Sequence, residues 1–217
     1  MSSIVDKKLP WYESMKSKLL PLLLLCSTLV LLAGFSFSPA WAADAEHDDT
    51  FWQALTHTQY IQEGEKGPVV YLFLDPNCPY CHELYTWLQN PVAKNEIRLR
   101  IVVVGFLVPE NSQAKAAAIL GAKDPRTALQ KNEEDFAIVN GEPMGGIAPA
   151  APALVQKESG ILQRNYAFLW GKESLLPNVP PGDVTVPLLV YRYQQQVRYL
   201  PTLPDQQQWQ EILHGDH

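Results

Sequence analysis

The chain has 217 residues, with 17 basic against 23 acidic side chains and a net charge of −6. That length suits one compact domain. The acidic balance argues against a nucleic-acid binder.

The first 18 residues carry Lys7, Lys8, Lys16 and Lys18. An uncharged, leucine-rich stretch follows from Leu19 to Phe37. It ends in Ser38-Pro39-Ala40-Trp41-Ala42, with small residues at both positions that an A-x-A cleavage site requires. Residues 1–42 therefore read as a secretory signal peptide cleaved after Ala42. The competing reading is an uncleaved membrane anchor, because the apolar run is nearly long enough to span a bilayer. Either way, the remainder is exported. Cys26 lacks the small residue expected before a lipidated cysteine and reads as a passive member of the apolar run. Cleavage removes four lysines and two acidic residues, which leaves 13 basic and 21 acidic side chains. Two cysteines remain, Cys78 and Cys81. A secreted protein that uses cysteine structurally spreads it along the chain. A pair two residues apart closes almost no loop and stabilises little. The pair points to chemistry.

Residues 43–66 read as a polar tail and a helix. Asp49 and Thr50 can cap that helix, which would carry Phe51, Trp52, Leu55 and Ile61. Gly64 to Pro68 ends it. Val69 to Leu74, VVYLFL, is an unbroken apolar run bounded by turn residues, the mark of a strand buried on both faces. Asp75-Pro76-Asn77 breaks it. Pro79 suits the first turn of a helix, and Leu84, Tyr85 and Leu88 continue at helical spacing until Pro91. Leu99 to Val108 reads as a second buried strand. A helix follows with Ser112 as its cap, then another started by Asp124 and Pro125. Residues 140–152 read as loop. The stretch from Ala153 to Glu173 is helical, with an interruption expected at Gly160. Strand texture returns at Val186, with a hairpin through Gln194 to Gln196. Asp205 starts a last helix that should bury Trp209, Ile212 and Leu213. The order is that of an α/β domain over 67–217, with a helical insertion at about 109–178.

The chemistry-bearing stretch is LFLDPNCPYCHEL, Leu72 to Leu84, with the spacing C-x-x-C-H. That spacing fits a c-type haem attachment, half of a zinc site, or a redox dithiol. Haem would take His82 as one axial ligand and needs another, for which Met144 is the one methionine left after cleavage. A motif between a buried strand and a helix is poor context for it. Zinc needs three or four ligands. There is no second C-x-x-C, and His47, His57, His214 and His217 lie near the chain ends. A dithiol fits the context. A strand feeding a cysteine at a helix start puts Cys78 where unpaired N–H groups and the helix dipole favour a thiolate. Cys81, one turn on, would be shielded. This predicts an exposed nucleophile, Cys78, and a buried resolving thiol. Pro79 and Tyr80 shape the backbone between them, His82 reads as an exposed residue beside the site, and Asp75 as a cap after the strand or a tuning charge.

FLDPNCPYCHEL resembles the active site of the DsbC/DsbG family of periplasmic thiol:disulfide interchange proteins. VGFLVPENSQAKAAAILGAKDP is similar to the segment after that family's second strand. FWQALTHTQYIQEGEKGPVVYLF resembles its linker helix and the entry to its catalytic domain. VTVPLLVYR stands where the family has its cis-proline loop, and YLPTLPDQQQWQEIL resembles its last helix. The resemblance implies a thioredoxin-like fold with an inserted helical subdomain. It implies a reductase or isomerase in which Cys78 forms the mixed disulfide and Cys81 resolves it. It also implies a cis Val186-Pro187 peptide facing the pair, with the Val186 backbone pairing with substrate. Implied partners are misoxidised exported proteins and a DsbD-type membrane electron donor in the periplasm, with no cofactor. Only residues 43–50 stand between the signal and the linker-type helix, so the family's dimerisation domain is expected to be missing and the protein monomeric. Val186 replaces the threonine usual before the cis-proline. A DsbA-like dithiol oxidase and a chaperone-like client-binding module remain as alternatives.

Overall fold

The protein is described here by a computed structural model, which describes residues 49–170 and 185–216. The signal segment 1–42, Cys26, and the expected end of the insertion near residue 178 lie outside them.

The centre of the fold is strand β2 (Val69–Leu74), whose six residues are all buried. Its unbroken apolar run can be satisfied only between two layers, which is why it lies mid-sheet. Strand β3 (Arg98–Val103) runs parallel to it, in register from Val69↔Arg98 to Leu74↔Val103. Parallel neighbours need a crossover, and helix α2 (Pro79–Ala93) supplies it. Strand β1 (Tyr60–Glu63) pairs antiparallel with β3. The hairpin of β6 (Leu188–Tyr193) and β7 (Gln196–Leu200) completes the sheet beyond β2. The strand order is β1-β3-β2-β6-β7.

Between β3 and β6 the chain builds the helical insertion. Helix α3 (Asn111–Leu120) and helix α4 (Pro125–Glu134) come first. A small hairpin follows, β4 (Ala137–Val139) with β5 (Glu142–Met144). Helix α5 (Pro152–Trp170) then packs on α3. Fully buried Asn165 ties α5 to the sheet, donating to the carbonyls of Val103 (3.0 Å) and Gln59 (3.2 Å). Helix α6 (Gln206–Leu213) follows β7, capped by Asp205 in a full capping box with Gln208. Ile212 is buried, while Trp209 and Leu213 are half-buried against the core. No helix among the described residues is long and apolar enough to cross a membrane.

Several expectations fail for local reasons. The first helix, α1 (49–55), ends at residue 55, not beyond Ile61. The hydroxyls of Thr56 and Thr58 bond back to Gln53 and Leu55 and close it. Tyr60–Glu63 then alternates between half-buried and buried as β1, so residues 60–63 belong to the catalytic sheet. Helix α2 continues past Pro91 to Ala93, and the chain leaves it through Asn95 at φ 56°. Strand β3 stops at Val103, because the following backbone turns to donate to Asp75. Ser112 lies inside α3, whose N-cap is Glu110. The 140–152 "loop" begins with the turn of a hairpin, with Asn140 and Gly141 both at positive φ. That is the Asn-Gly signal for a two-residue turn. Helix α5 passes through Gly160 unbroken.

Candidate active site

Cys78 is the N-cap residue of α2, with extended backbone, and Pro79 takes the first helical turn. Its Sγ accepts the Cys81 N–H at 3.1 Å, in the way a serine or aspartate oxygen serves at other helix starts. Both cysteines are free thiols. Cys81 is fully buried and Cys78 is 2% exposed. The expectation of an exposed Cys78 is therefore corrected. Its sulfur is turned onto the helix N-terminus and lies 3.7 Å from the Val186 carbonyl. Tyr80, between the cysteines, is 70% exposed.

The two thiols titrate apart. The Cys81 thiol, pointed at Cys78, holds the Cys78 pKa down. Burial opposes this, and the Cys81 N–H assists it. Burial raises Cys81 well above the ordinary thiol value, and its role as donor to Cys78 raises it further. The negative charge of Asp75 pushes both upward. One cysteine is thus prepared as nucleophile and the other kept protonated behind it.

Asp75 is buried beneath the motif. Its Oδ1 accepts from the Asn77 N–H (2.9 Å) and the Ser112 hydroxyl (2.8 Å). Its Oδ2 accepts from the N–H groups of Phe106 (2.7 Å) and Leu107 (3.0 Å). Asp75 therefore joins β2, the turn after β3 and α3, which is more than capping.

Sequence reading missed a polar network that continues from there. Buried Asn77 donates to Asn111 and Ser112, and its Oδ1 accepts from Lys115 Nζ (3.0 Å) and the Gly145 N–H (3.1 Å). Buried Lys115 also donates to the Gly145 carbonyl at 2.6 Å. Burial lowers the Lys115 pKa, and Asp75 opposes that shift. Asn132, fully buried, donates to the Pro76 carbonyl (3.0 Å) and to Glu133. A signal for Lys115 existed. It shares the face of α3 with Ser112, Ala116 and Ile119, all buried, so a lysine there stands in an apolar stripe.

His82 is not a free surface residue. Its Nδ1 lies 3.1 Å from Glu133 Oε2, and its ring stacks on Phe136 at 4.6 Å. Glu133 is buried, and desolvation raises its pKa against the pull of Asn132 and His82. On the opposite side, the Val186–Pro187 peptide is cis. A cavity of about 340 Å³ opens there, lined by Tyr80, Glu83, Val186, Pro187 and Leu203 among others. Among the described residues no group of three or more His, Cys, Asp or Glu could hold a metal ion.

No protein-family model matches the chain. The thiol:disulfide interchange protein DsbG of Pseudomonas aeruginosa is 37% identical over 109 residues, 49% of this chain and 41% of that protein. DsbG of Escherichia coli is 38% identical over 84 residues, 38% of this chain and 34% of that protein. The chain thus spans less than half the length of the curated relatives it matches. A periplasmic thioredoxin-like protein from Salmonella enterica serovar Typhimurium superposes with a TM-score of 0.51 at 16% identity. That superposition covers 76% of this chain and 94% of the other. The fold is thioredoxin-like, and the resemblance to the DsbC/DsbG family holds over the matched half of the chain.

Proposed function

We propose that this chain is an exported thiol:disulfide oxidoreductase that reduces or isomerises protein disulfides through Cys78 and Cys81. The observation that carries the reading is the split between the two sulfurs. Cys78 caps a helix N-terminus with a lowered pKa, and buried Cys81 sits one turn behind it with a raised one. The likeness to two proteins named DsbG supports the same chemistry.

The Cys78 thiolate attacks one sulfur of a client disulfide. A mixed disulfide forms, and the other client sulfur leaves as a thiolate that takes up a proton. In isomerisation a second client thiolate attacks the mixed disulfide and returns Cys78. In reduction Cys81 gives up its proton, attacks Cys78 and releases the client thiol, leaving a Cys78–Cys81 disulfide. A dithiol donor at the membrane, of DsbD type, then reduces that disulfide. Pro79 and Tyr80 set the backbone between the sulfurs, and Asp75 and His82 adjust their titration. The Val186 backbone, held by Pro187, pairs with the client strand. The setting is the periplasm, after removal of the signal peptide, and the working form is a monomer.

Thiol trapping tests this. Exported protein is acid-quenched and alkylated with a heavy maleimide, with and without prior reduction. Two labels without reduction are expected. Labels gained only after reduction would mean the pair is kept oxidised, and a dithiol oxidase would replace the reductase or isomerase.

A further inference from the structure

The β4–β5 hairpin takes no part in the thiol chemistry, yet both its ends are fixed to the motif. Phe136, entering β4, stacks on His82, the residue after the C-P-Y-C run. Gly145, leaving β5, bonds to Asn77, the residue before it. The approach is close enough that a Cβ on Gly145 would lie 2.3 Å from the Pro76 carbonyl oxygen. The hairpin is a rigid extension of the rim around Cys78.

Among the described residues its outer edge is open: strand β4 has β5 as its single neighbour there, in a two-stranded sheet. Ile138 stands opposite Pro143, which has no N–H to exchange. The bonded pairs are therefore the flanking ones, Ala137↔Met144 and Val139↔Glu142. By antiparallel alternation, the Ile138 N–H and carbonyl point away from β5. The side chains on this edge are apolar and exposed, Ile138 at 66% and Val139 at 49%. Protected edges carry charge or proline. Strand β5 has both, in Glu142 and Pro143, and β4 has neither.

We propose that the β4 edge binds an extended apolar segment of the client polypeptide, by main-chain pairing, while Cys78 attacks the client's disulfide. This rests on the exchange reading above. The unshared donor and acceptor of Ile138 call for an extended chain. The exposed Ile138 and Val139 call for apolar side chains on it. The fixed base beside Asn77 and His82 calls for a chain already engaged at Cys78. Folded proteins seldom leave such a segment unpaired, so the edge selects misoxidised, unfolded clients.

The test uses a short peptide of alternating valine and threonine with one cysteine held as a thionitrobenzoate disulfide. Attack by the Cys78 thiolate forms the peptide mixed disulfide and expels coloured thionitrobenzoate. Two further peptides are N-methylated at every second residue, one on each edge, and Ellman's reagent serves as the small disulfide. At subsaturating concentration, one N-methylated peptide should react about ten-fold more slowly than the parent, the scale of one lost bond pair. The Ile138→Lys, Val139→Lys double variant should lose the same factor with the parent peptide and keep the wild-type rate with Ellman's reagent. Ile138→Thr, which keeps strand propensity, should fall between. The N-methyl comparison uses unaltered protein, so it stands even if the lysine variant melts the hairpin. Equal peptide rates in wild type and both variants would overturn the proposal. So would a concentration-dependent dimer in sedimentation that the lysines abolish without changing peptide rates, which would assign the edge to a second copy. Failure of wild type to react even with Ellman's reagent would instead refute the exchange reading.

Discussion

Two loops meet at Cys78, and they are held in opposite ways. On the insertion side, Asp75-Pro76-Asn77 is pinned by Ser112, Lys115, Asn132 and Gly145, most of them buried. On the other side, Val186 meets the sulfur through one contact of 3.7 Å and borders a cavity of about 340 Å³. A nucleophile must be fixed in direction but approachable. The pinned loop aims the sulfur, and the open side leaves space for an incoming chain.

The largest effect should come from the sulfur itself. Cys78→Ala should reduce disulfide exchange to the uncatalysed background, whereas Cys81→Ala should trap a stable mixed disulfide visible on a non-reducing gel. If Cys78→Ala retained turnover while Cys81→Ala lost it, the roles of the two thiols would be reversed.

Next comes the contrast between the two sides. Lys115→Ala removes the donor to Asn77 Oδ1 and the Gly145 carbonyl, both in a buried network. Asn77 Oδ1 keeps the Gly145 N–H, but the buried Gly145 carbonyl loses its donor. Leaving such an acceptor unsatisfied costs about 1–3 kcal/mol, and a loss of that size is expected in denaturant unfolding. On the open side, Leu203→Ala should cost less than about 1.5 kcal/mol, because Leu203 is only half-buried. It should raise the KM for a client peptide while leaving reactivity with Ellman's reagent unchanged. Similar stability losses for the two variants would dissolve the comparison.

The sequence announced the open side and the sulfurs better than it announced the clamp. VVYLFL could only be a central strand, and Pro79 and Asp205 marked helix starts by chemistry that depends on near neighbours alone. The clamp depends on distant partners. Asn77 meets Lys115 and Gly145 across 38 and 68 residues of chain. No local pattern records such a pairing, and Asn77 reads only as part of the turn that breaks the strand. The hairpin is legible in Asn140-Gly141, but the Gly, Pro and Ala that crowd the residues after it give the stretch the texture of a loop. From the sequence alone Ile61 reads as a further apolar residue of the helix that carries Phe51, Trp52 and Leu55. Only the pairing Ile61↔Ile101 makes it a strand.

The smallest predicted effect concerns Glu133, where the clamp carries a carboxylate into the interior. Its folded pKa is raised above the ordinary 4.5, first by burial, against the donors Asn132 and His82. A raised carboxylate binds its proton more tightly folded than unfolded. Its stabilisation is therefore present below the unfolded pKa and is lost as pH rises through the folded one. Glu133→Gln keeps the shape and the Asn132 contact but cannot titrate. The stability of wild type minus that of Glu133→Gln should fall as pH rises from about 4.5 and then level off, with a slope of at most about 1.4 kcal/mol per pH unit. Adding His82→Ala removes a donor that favours the ionised carboxylate, so the fall should extend to higher pH. A difference that rose with pH would mean that the His82 and Asn132 bonds outweigh burial. The clamp would then be held by a charged carboxylate, and the side of Cys78 that looks most rigid would also be the side most sensitive to acid.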